Sequence, residues 1–423
     1  MVPHLTTAHN GPINELEQRI LESMPAIERW FRLEWMEHTP PFYTSADLRN
    51  AGFKLAPVDN DLFPRTFNNL AHEMMPLAVQ AAMAAIEKIC PEAKNLLLIP
   101  DARIANSFYL QNLQRLIEIF TQAGLNVRLG ALDTAMKAPT RLELPDGSEL
   151  TLEPLVRNRG RLGLKRFDPC TILLNNDLAG GVPRELEHLY EQYLLPPLHA
   201  GWPLRRKSRH FRSYEEVAKK FAKLLGLDAW LINPLHVACG AVDPGRPADL
   251  EAIRAQVDLL LTKIRRKYKE YGIADKPCVV VKSDDAAGIG LLALRDAKEL
   301  DDAARLRPAG ALPAEFLIQE GVPTFERMND AVAEPVVMMV DRYVVGGYYR
   351  VHAERAAGAD LCGTPSSYVP LAFAGAGQMP RAGGKPGASA PNRFYMYGVV
   401  GRLSMLAASY ELEATDPDAE NYP

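Results

Sequence analysis

Glu315-Phe-Leu-Ile-Gln-Glu-Gly-Val-Pro-Thr-Phe-Glu326 is a short apolar strand that ends in Gln319-Glu320-Gly321 and is stopped at Val322-Pro323, because proline has no N–H for a sheet ladder. Upstream, Val279-Val-Val-Lys282 is a second such strand, and the small-residue turn Ser283-Asp-Asp-Ala-Ala-Gly-Ile-Gly290 follows it. A buried strand closed by a lysine, a glycine-bearing turn and a second strand closed by a carboxylate are the parts of a nucleotide clamp. Gly288 and Gly290 let backbone amides approach a phosphate. Lys282 supplies positive charge, and main-chain groups at Gln319-Glu320-Gly321 could bond an adenine edge. Taken singly, each part has a plainer reading: Gly-x-Gly is common, and a strand-end lysine is usually solvated.

Working outward, the 423-residue chain is 47% hydrophobic and 24% charged, enough for large cores and two or three domains. A formal charge of −4 argues against bulk attraction to nucleic acid or an anionic membrane. No apolar run reaches the ~18 residues of a membrane span. Met1-Val-Pro-His-Leu-Thr-Thr7 has neither a basic region nor an apolar signal core. Five scattered cysteines with no Cys-x-x-Cys pair read as reduced thiols in a cytoplasmic protein.

Along the chain, the apolar spacing predicts a helix over 13–36, broken or kinked at Pro25. Residues 43–70 show no helical or strand regularity and are dense in Asp, Asn, Arg and Lys. They read as a polar loop anchored by Phe53, Leu55 and Phe67, either a solvated excursion or a binding loop. A helix over 75–90, the buried strand Asn95–Pro100, a helix over 106–123 and a strand over 126–129 form a βαβ unit with a parallel sheet. Residues 140–155 read as a hairpin turning at Asp146-Gly147. The strand 171–174 ends in Asn175-Asn176-Asp177, at the carboxyl end where α/β sheets bind ligands; an ordinary Asn/Asp/Gly turn explains it equally. The basic cluster Arg205-Arg206-Lys207 is a linker edge or a phosphate contact. Ser213 and Glu216 read as a capping box opening a helix over 214–225. A linker at 240–250 leads to a basic helix, 249–271, whose run Lys263–Lys269 reads as a solvated face, or less simply as an anion site. Residues 335–352 read as a hairpin turning at Gly346-Gly347, with Tyr348, Arg350 and His352 on one face. Arg350 could stabilise phosphoryl oxygens, and Glu334 and Asp341 could hold magnesium. Residues 374–391 are rich in Gly, Ala and Pro, and a last helix spans about 393–411.

The order of these parts is more specific than any one of them. Phe42–Asp59, Phe167–Asp177, Pro196–Trp202, Ile318–Val322, Asp341–His352 and Pro391–Val400 resemble, nearly end to end, the proteobacterial glutamate–cysteine ligase family of the ATP-grasp, glutathione-synthetase-like kind. That resemblance implies an α/β fold, α+β in the C-terminal half. An N-terminal parallel-sheet substrate domain over 1–200 precedes an ATP-grasp-like region over 201–423, with a small lid over about 240–318 and a hairpin plus C-terminal helix over 319–423. It also implies a cytoplasmic enzyme that uses ATP and magnesium to join glutamate, through an acyl phosphate, to cysteine, giving γ-glutamylcysteine. Lys207 and Lys282 look like the two nucleotide lysines. Gln319, Glu320 and Val322 would form the adenine hinge, Glu326 a ribose contact, and Arg350 the phosphate-side arginine. Arg49, Asn50, Lys54, Asp59, Asn68, Asn69, Asn175, Asn176 and Asp177 would contact the amino acids, with Arg49 and Lys54 suited to carboxylates and Asp59 to an ammonium group. Two other readings use the same residues: a related ligase for another amino-acid pair, and a weakened homologue that binds nucleotide or amino acid. The loop after Lys282 departs from the family's Gly-Thr-Tyr-Gly-Met-Gly character. It is shorter and carries Asp284 and Asp285, whose charges repel a triphosphate unless magnesium intervenes. The Glu-x-Asn metal pair of ATP-grasp enzymes is not evident, and Asn392 is the one candidate for it.

Overall fold

Three larger sheets and a two-stranded one, Val156–Asn158 with Arg161–Gly163, hold the strands of the described residues. In this computed structural model residues 5–8, 11–101, 106–243, 246–285, 292–300, 314–352, 367–371 and 393–419 are described. Gly288, Gly290, Cys362, Asn392 and the stretch 374–391 lie outside them.

The apolar run Asn95–Pro100 is central in a six-stranded sheet of order Tyr193–Leu195, Thr171–Asn175, Asn95–Pro100, Asn126–Ala131, Glu149–Pro154, Thr140–Glu143. Its pairs are parallel except the last, which closes the hairpin at Asp146-Gly147. Helix Ser107–Gln122 packs on this sheet, as the βαβ pattern requires, and helix Met75–Ile89 packs beside it against Ala331–Val340 and Tyr343–His352, within the same apolar core.

A seven-stranded sheet holds the second half together, and the chain's first sixty residues enter it. Tyr43–Asn50 pairs antiparallel with both Leu55–Asp61 and Ala331–Val340, and the latter pairs with Tyr343–His352. The anchored loop expected over 43–70 is therefore two sheet strands followed by a short 3-10 turn, Phe67–Asn69. Their alternation is blurred because both faces are covered: Tyr43–Asn50 is buried at six of its eight positions. The boundary expected at residue 200 likewise does not separate the sheets, since 43–61 and 331–352 share one.

The third, four-stranded sheet has the order His236–Val242, Ala314–Glu320, Val279–Ser283, Leu292–Leu294. Helix Pro247–Glu270 covers one face with Ile253, Val257, Leu260, Leu261 and Ile264. The helix Phe394–Thr415 is buried nearly all round, against strands Tyr43–Asn50 and Leu55–Asp61 and helix Lys207–Leu225. No helix among the described residues is long and apolar enough to cross a membrane. The four described cysteines, Cys90, Cys170, Cys239 and Cys278, are free thiols.

One local expectation, the break near Pro25, is met, and two change. The segment over 13–36 is two helices, Pro12–Glu22 and Met24–Glu37, with Pro25 in the first turn of the second, where its missing N–H costs nothing. The helix expected from 214 begins at Lys207, so Ser213 lies inside it and the capping box is not used. The hairpin turns at Asp341-Arg342, not at the glycines, with Asp341 at φ 49°. Gly346 and Gly347 sit within the strand Tyr343–His352 because a Cβ there would fall 2.4 Å from Leu70 Cδ1 and 2.5 Å from the Val336 carbonyl oxygen.

Candidate active site

Strand register assembles the site. Asp47 lies opposite Asp59 on one side and Val336 on the other, and Glu334 lies opposite Arg350. Side chains two apart along a strand share a face. Asp47, Arg49, Asp59, Glu334, Arg350 and His352 therefore stand together on one face of the seven-stranded sheet. Arg350 forms an ion pair with Asp47. Arg49 Nε lies 3.2 Å from Glu334 Oε1 in an ion contact without hydrogen-bond alignment, and its Nη1 donates to the Val322 carbonyl at 3.4 Å. His352 Nε2 is 3.3 Å from Glu334 Oε2.

The two predicted lysines close over this face from different elements. Lys282 Nζ donates to the Val58 carbonyl at 2.8 Å and to Gln319 Oε1 at 2.7 Å. Lys207 Nζ is 3.0 Å from Asp59 Oδ2. Burial alone would raise the Asp59 pKa, but Lys207, Lys282 and Arg205 hold it well below the carboxylate range. Burial raises Asp47 above its ordinary value despite Arg350. Burial would lower Arg350, yet Asp47 and Tyr348 keep it firmly charged. Burial would raise Glu334 as well, and Arg49 and His352 reverse that.

The acidic loop after Lys282 has a structural explanation. The Ser208 N–H and hydroxyl donate to the two Asp284 carboxylate oxygens at 2.6 Å each, and the Lys207 N–H donates to the Asp284 carbonyl at 2.9 Å. Asp284 thus caps the helix Lys207–Leu225 from outside the helix, where the partial positive charge of its N-terminus offsets the carboxylate. Asp285 accepts the Ser283 hydroxyl at 2.5 Å.

Other expected contacts lie elsewhere. Lys54 is fully buried, 2.9 Å from Glu320 Oε2 and 4.2 Å from the centre of the Trp230 ring. Glu320 also accepts from the Trp230 indole and from the Leu235 N–H. The hinge strand Ala314–Glu320 is flanked on both edges, and the Glu320 and Gly321 N–H groups already bond the Leu235 and Cys278 carbonyls. Those two amides are consequently not available to an adenine edge. Gln319 keeps a buried Nε2 without a hydrogen bond. Asn50 and Glu326 are core residues: Glu326 Oε1 accepts from Thr7, Asn50 and the Tyr397 hydroxyl, and burial raises its pKa to about 7. A fully buried carboxylate is no ribose contact in this arrangement. Asn175 is a fully buried staple holding Tyr43, Tyr109, Asn112 and the Pro64 carbonyl. Asn176 donates to the Pro100 carbonyl at 3.4 Å.

Asp177 does meet a charge, though not a predicted one. Arg65 lies 2.9 Å from both Asp177 and Asp101, at the carboxyl ends of two parallel strands. The adjoining Thr66 accepts the Tyr348 hydroxyl at 2.9 Å, which joins this end to the Arg350 face. Asn69 Nδ2 and Asn68 Oδ1, a few residues on, are buried without a hydrogen bond. Arg65 and Asp47 were missed in the sequence, and Arg205 stood out only as part of a basic cluster. Asp47 and Arg65 lay in the stretch read as a loop. Arg205 bonds the Asn60 carbonyl, Asn60 Oδ1 and both oxygens of Glu411, and His210 joins Glu411 at 3.2 Å.

The metal candidates separate. Asp341 is at the hairpin tip, 2.7 Å from Lys88, about 23 Å along the strand from Glu334. It cannot share an ion with Glu334. Among the described residues no group of three or more His, Cys, Asp or Glu could hold a metal. Glu334 alone remains on the polar face, with Oε1 free of hydrogen bonds. That fits magnesium, which takes one or two carboxylates and fills its shell with phosphates and water.

A family model for GshA, glutamate-cysteine ligase, matches residues 17–412. A crystal structure from Methylobacillus flagellatus KT, described provisionally as a gamma-glutamylcysteine synthetase, is 50% identical and superimposes with a TM-score of 0.91 over 98% of this chain and 100% of that one. Two further structures are a D-alanyl-alanine synthetase A from Vibrio cholerae (10% identity, TM-score 0.34, 74% of this chain and 81% of that one) and a glutathione synthetase-like effector from Globodera pallida (11% identity, TM-score 0.35, 79% and 77%). At those scores neither carries an argument. No curated protein matches the chain.

Proposed function

The chain belongs to the glutamate–cysteine ligase family, and we propose on that premise that its chemistry is done on the polar face between Lys207, Lys282 and Arg350. As a member of that family the protein joins glutamate to cysteine, the ligation that opens glutathione synthesis. The observation that carries the siting is the convergence of Lys207 and Lys282, from a helix start and a strand end, on Asp59 and Val58 beside the Arg350–Asp47 pair.

In this reading Lys282 and Lys207 would hold the phosphates of ATP, with Lys282 pre-set by Gln319 Oε1 and Val58. The buried Gln319 Nε2 would donate to the nucleotide. Arg350 would face the transferring phosphoryl group, where fixed positive charge is worth most as charge develops. The γ-carboxylate of L-glutamate would attack that phosphoryl group, releasing ADP. The amine of L-cysteine would then attack the acyl phosphate, releasing inorganic phosphate and giving γ-glutamylcysteine. Arg65, Asn69 and Asp177 lie at the end of the face toward the six-stranded sheet, with a carboxylate partner, a donor and an ammonium partner for the two amino acids. Glu334 would hold magnesium, whose charge would neutralise the phosphate oxygens.

Purified protein should release ADP only when ATP, magnesium, glutamate and cysteine are all present. Lys282→Ala should abolish both that release and the thermal stabilisation given by ATP. Release with a different amino-acid pair would overturn the substrate assignment. Full stabilisation of the variant by ATP would sink the siting.

A further inference from the structure

The segment Gly321–Phe325, which carries the chain from the four-stranded sheet to the seven-stranded one, forms one side of a second cleft of about 530 Å³, a volume that suits a small molecule. Asp275, Lys276, Cys278 and Arg295 line it from the small sheet, and Thr6, Ala51 and Arg327 from the large one. Cys278 immediately precedes the strand Val279–Ser283, so the cleft is about 13 Å along that strand from Lys282.

Two features point to a ligand. The first is charge: the cations Lys276, Arg295 and Arg327 line the cleft with the carboxylate Asp275; the neighbouring Glu299 accepts the Arg295 backbone N–H at 3.0 Å, and Arg327 donates to an uncharged acceptor, the Asp330 carbonyl, at 2.8 Å. The second is Thr324, which lines the cleft at 1% exposure with a hydroxyl that makes no hydrogen bond. A buried hydroxyl without a partner is costly and is explained by a partner that arrives with a ligand. The wall is also closely fitted. A Cβ on Gly321 would fall 2.3 Å from Cys278 Sγ, so the crossover is seated directly on the small sheet here.

We infer that this cleft binds a small, multiply charged anion, and that the bound anion braces the crossover between the two sheets. This goes beyond the ligase reading, because none of its lining residues belongs to the polar face. Cations from both sheets grip the ligand while Thr324 donates to it. Occupancy therefore couples the position of the strand bearing Lys282 to an anion bound outside the polar face.

Half-buried Cys278 is the reporter. Its alkylation by neutral iodoacetamide, followed by peptide mapping without nucleotide or magnesium, should slow as citrate or inorganic phosphate is added at constant ionic strength. Protection should grow as one plus ligand over Kd, about tenfold at ten times Kd. Slowing by citrate alone assigns a polycarboxylate, by phosphate alone a phosphate compound, and by both a charge-selective site. Lys276→Glu with Arg295→Glu leaves one cation facing three carboxylates and should abolish protection with basal ligase activity unchanged. Thr324→Val, which keeps the shape and removes the hydroxyl, should weaken protection on its own. No slowing by either anion, or equal slowing in wild type and double variant, would overturn the inference.

Discussion

Asp47, Arg49 and Asp59 reach the polar face, whereas Asn50 and Lys54, from the same pair of strands and the turn between them, are fully buried beneath the hinge. The 314–334 stretch divides in the same way. Gln319 and Glu334 face the lysines and arginines of the site, while Glu320 and Glu326 point into the core. Both regions are built of charged residues in close pairs. Arg49 and Asn50, like Gln319 and Glu320, are strand neighbours on opposite faces, while Lys54 and Glu326 lie in connections between strands and are buried. Charge and motif membership do not mark a site until the register is known.

Exchanging the two roles tests that division. Lys54→Ala leaves Glu320 buried without its cation, which typically costs about 3–5 kcal/mol. Denaturant unfolding should show that loss directly. Arg350→Ala should do the opposite: kcat falls by about 10²–10³-fold while the unfolding midpoint changes little, because Arg350 is partly exposed beside Asp47. A large stability loss in Arg350→Ala with unchanged kcat in both variants would erase the distinction.

Glu326 sharpens it through pH. Burial raises its pKa from 4.5 to about 7 in the folded protein, with Tyr397, Thr7, Arg393 and Asn50 only partly opposing that. An acid whose folded pKa is raised favours folding while protonated. The contribution is therefore fully present below pH 4.5 and is lost as pH rises through about 7. The size is about 3 kcal/mol. Relative to Glu326→Gln, wild-type stability should fall by that amount across this window. A constant difference would mean that the carboxyl is ionised in the core throughout.

Much of the fold was legible where one physical signal dominated. The apolar runs Asn95–Pro100 and Thr171–Asn175, with amphipathic helices between, admit few arrangements other than a parallel sheet. Residues 43–61 were not legible, because a strand covered on both faces by polar and apolar partners loses its period of two. The glycines 346 and 347 misled for a related reason. They are needed for close approach to Leu70 and Val336, contacts distant in sequence, and not for a turn. On the polar face, Lys207, Lys282 and Arg350 are the expected cations that the fold brings near one another. Arg65 was hidden in the misread stretch, and its two carboxylate partners come from strands that only the fold brings side by side.

Asp284 is the smallest test and the most direct one for the loop after Lys282. As an acid beside a phosphate site it would repel the triphosphate, and Asp284→Asn would then tighten ATP binding at no cost in stability. As the cap of helix Lys207–Leu225 its charge is favoured by the helix N-terminus and its two oxygens hold Ser208, so removing the charge and one acceptor oxygen should cost about 1 kcal/mol of stability. Loosening the first turn also loosens Lys207, which is held there by Asp59 alone among its described carboxylate partners. The KM for ATP should therefore rise, not fall. The two accounts predict opposite signs for both measurements. A lower KM with unchanged stability would return Asp284 to the ligand side of the comparison, and a higher KM with lost stability assigns it to the frame on which the lysine is carried.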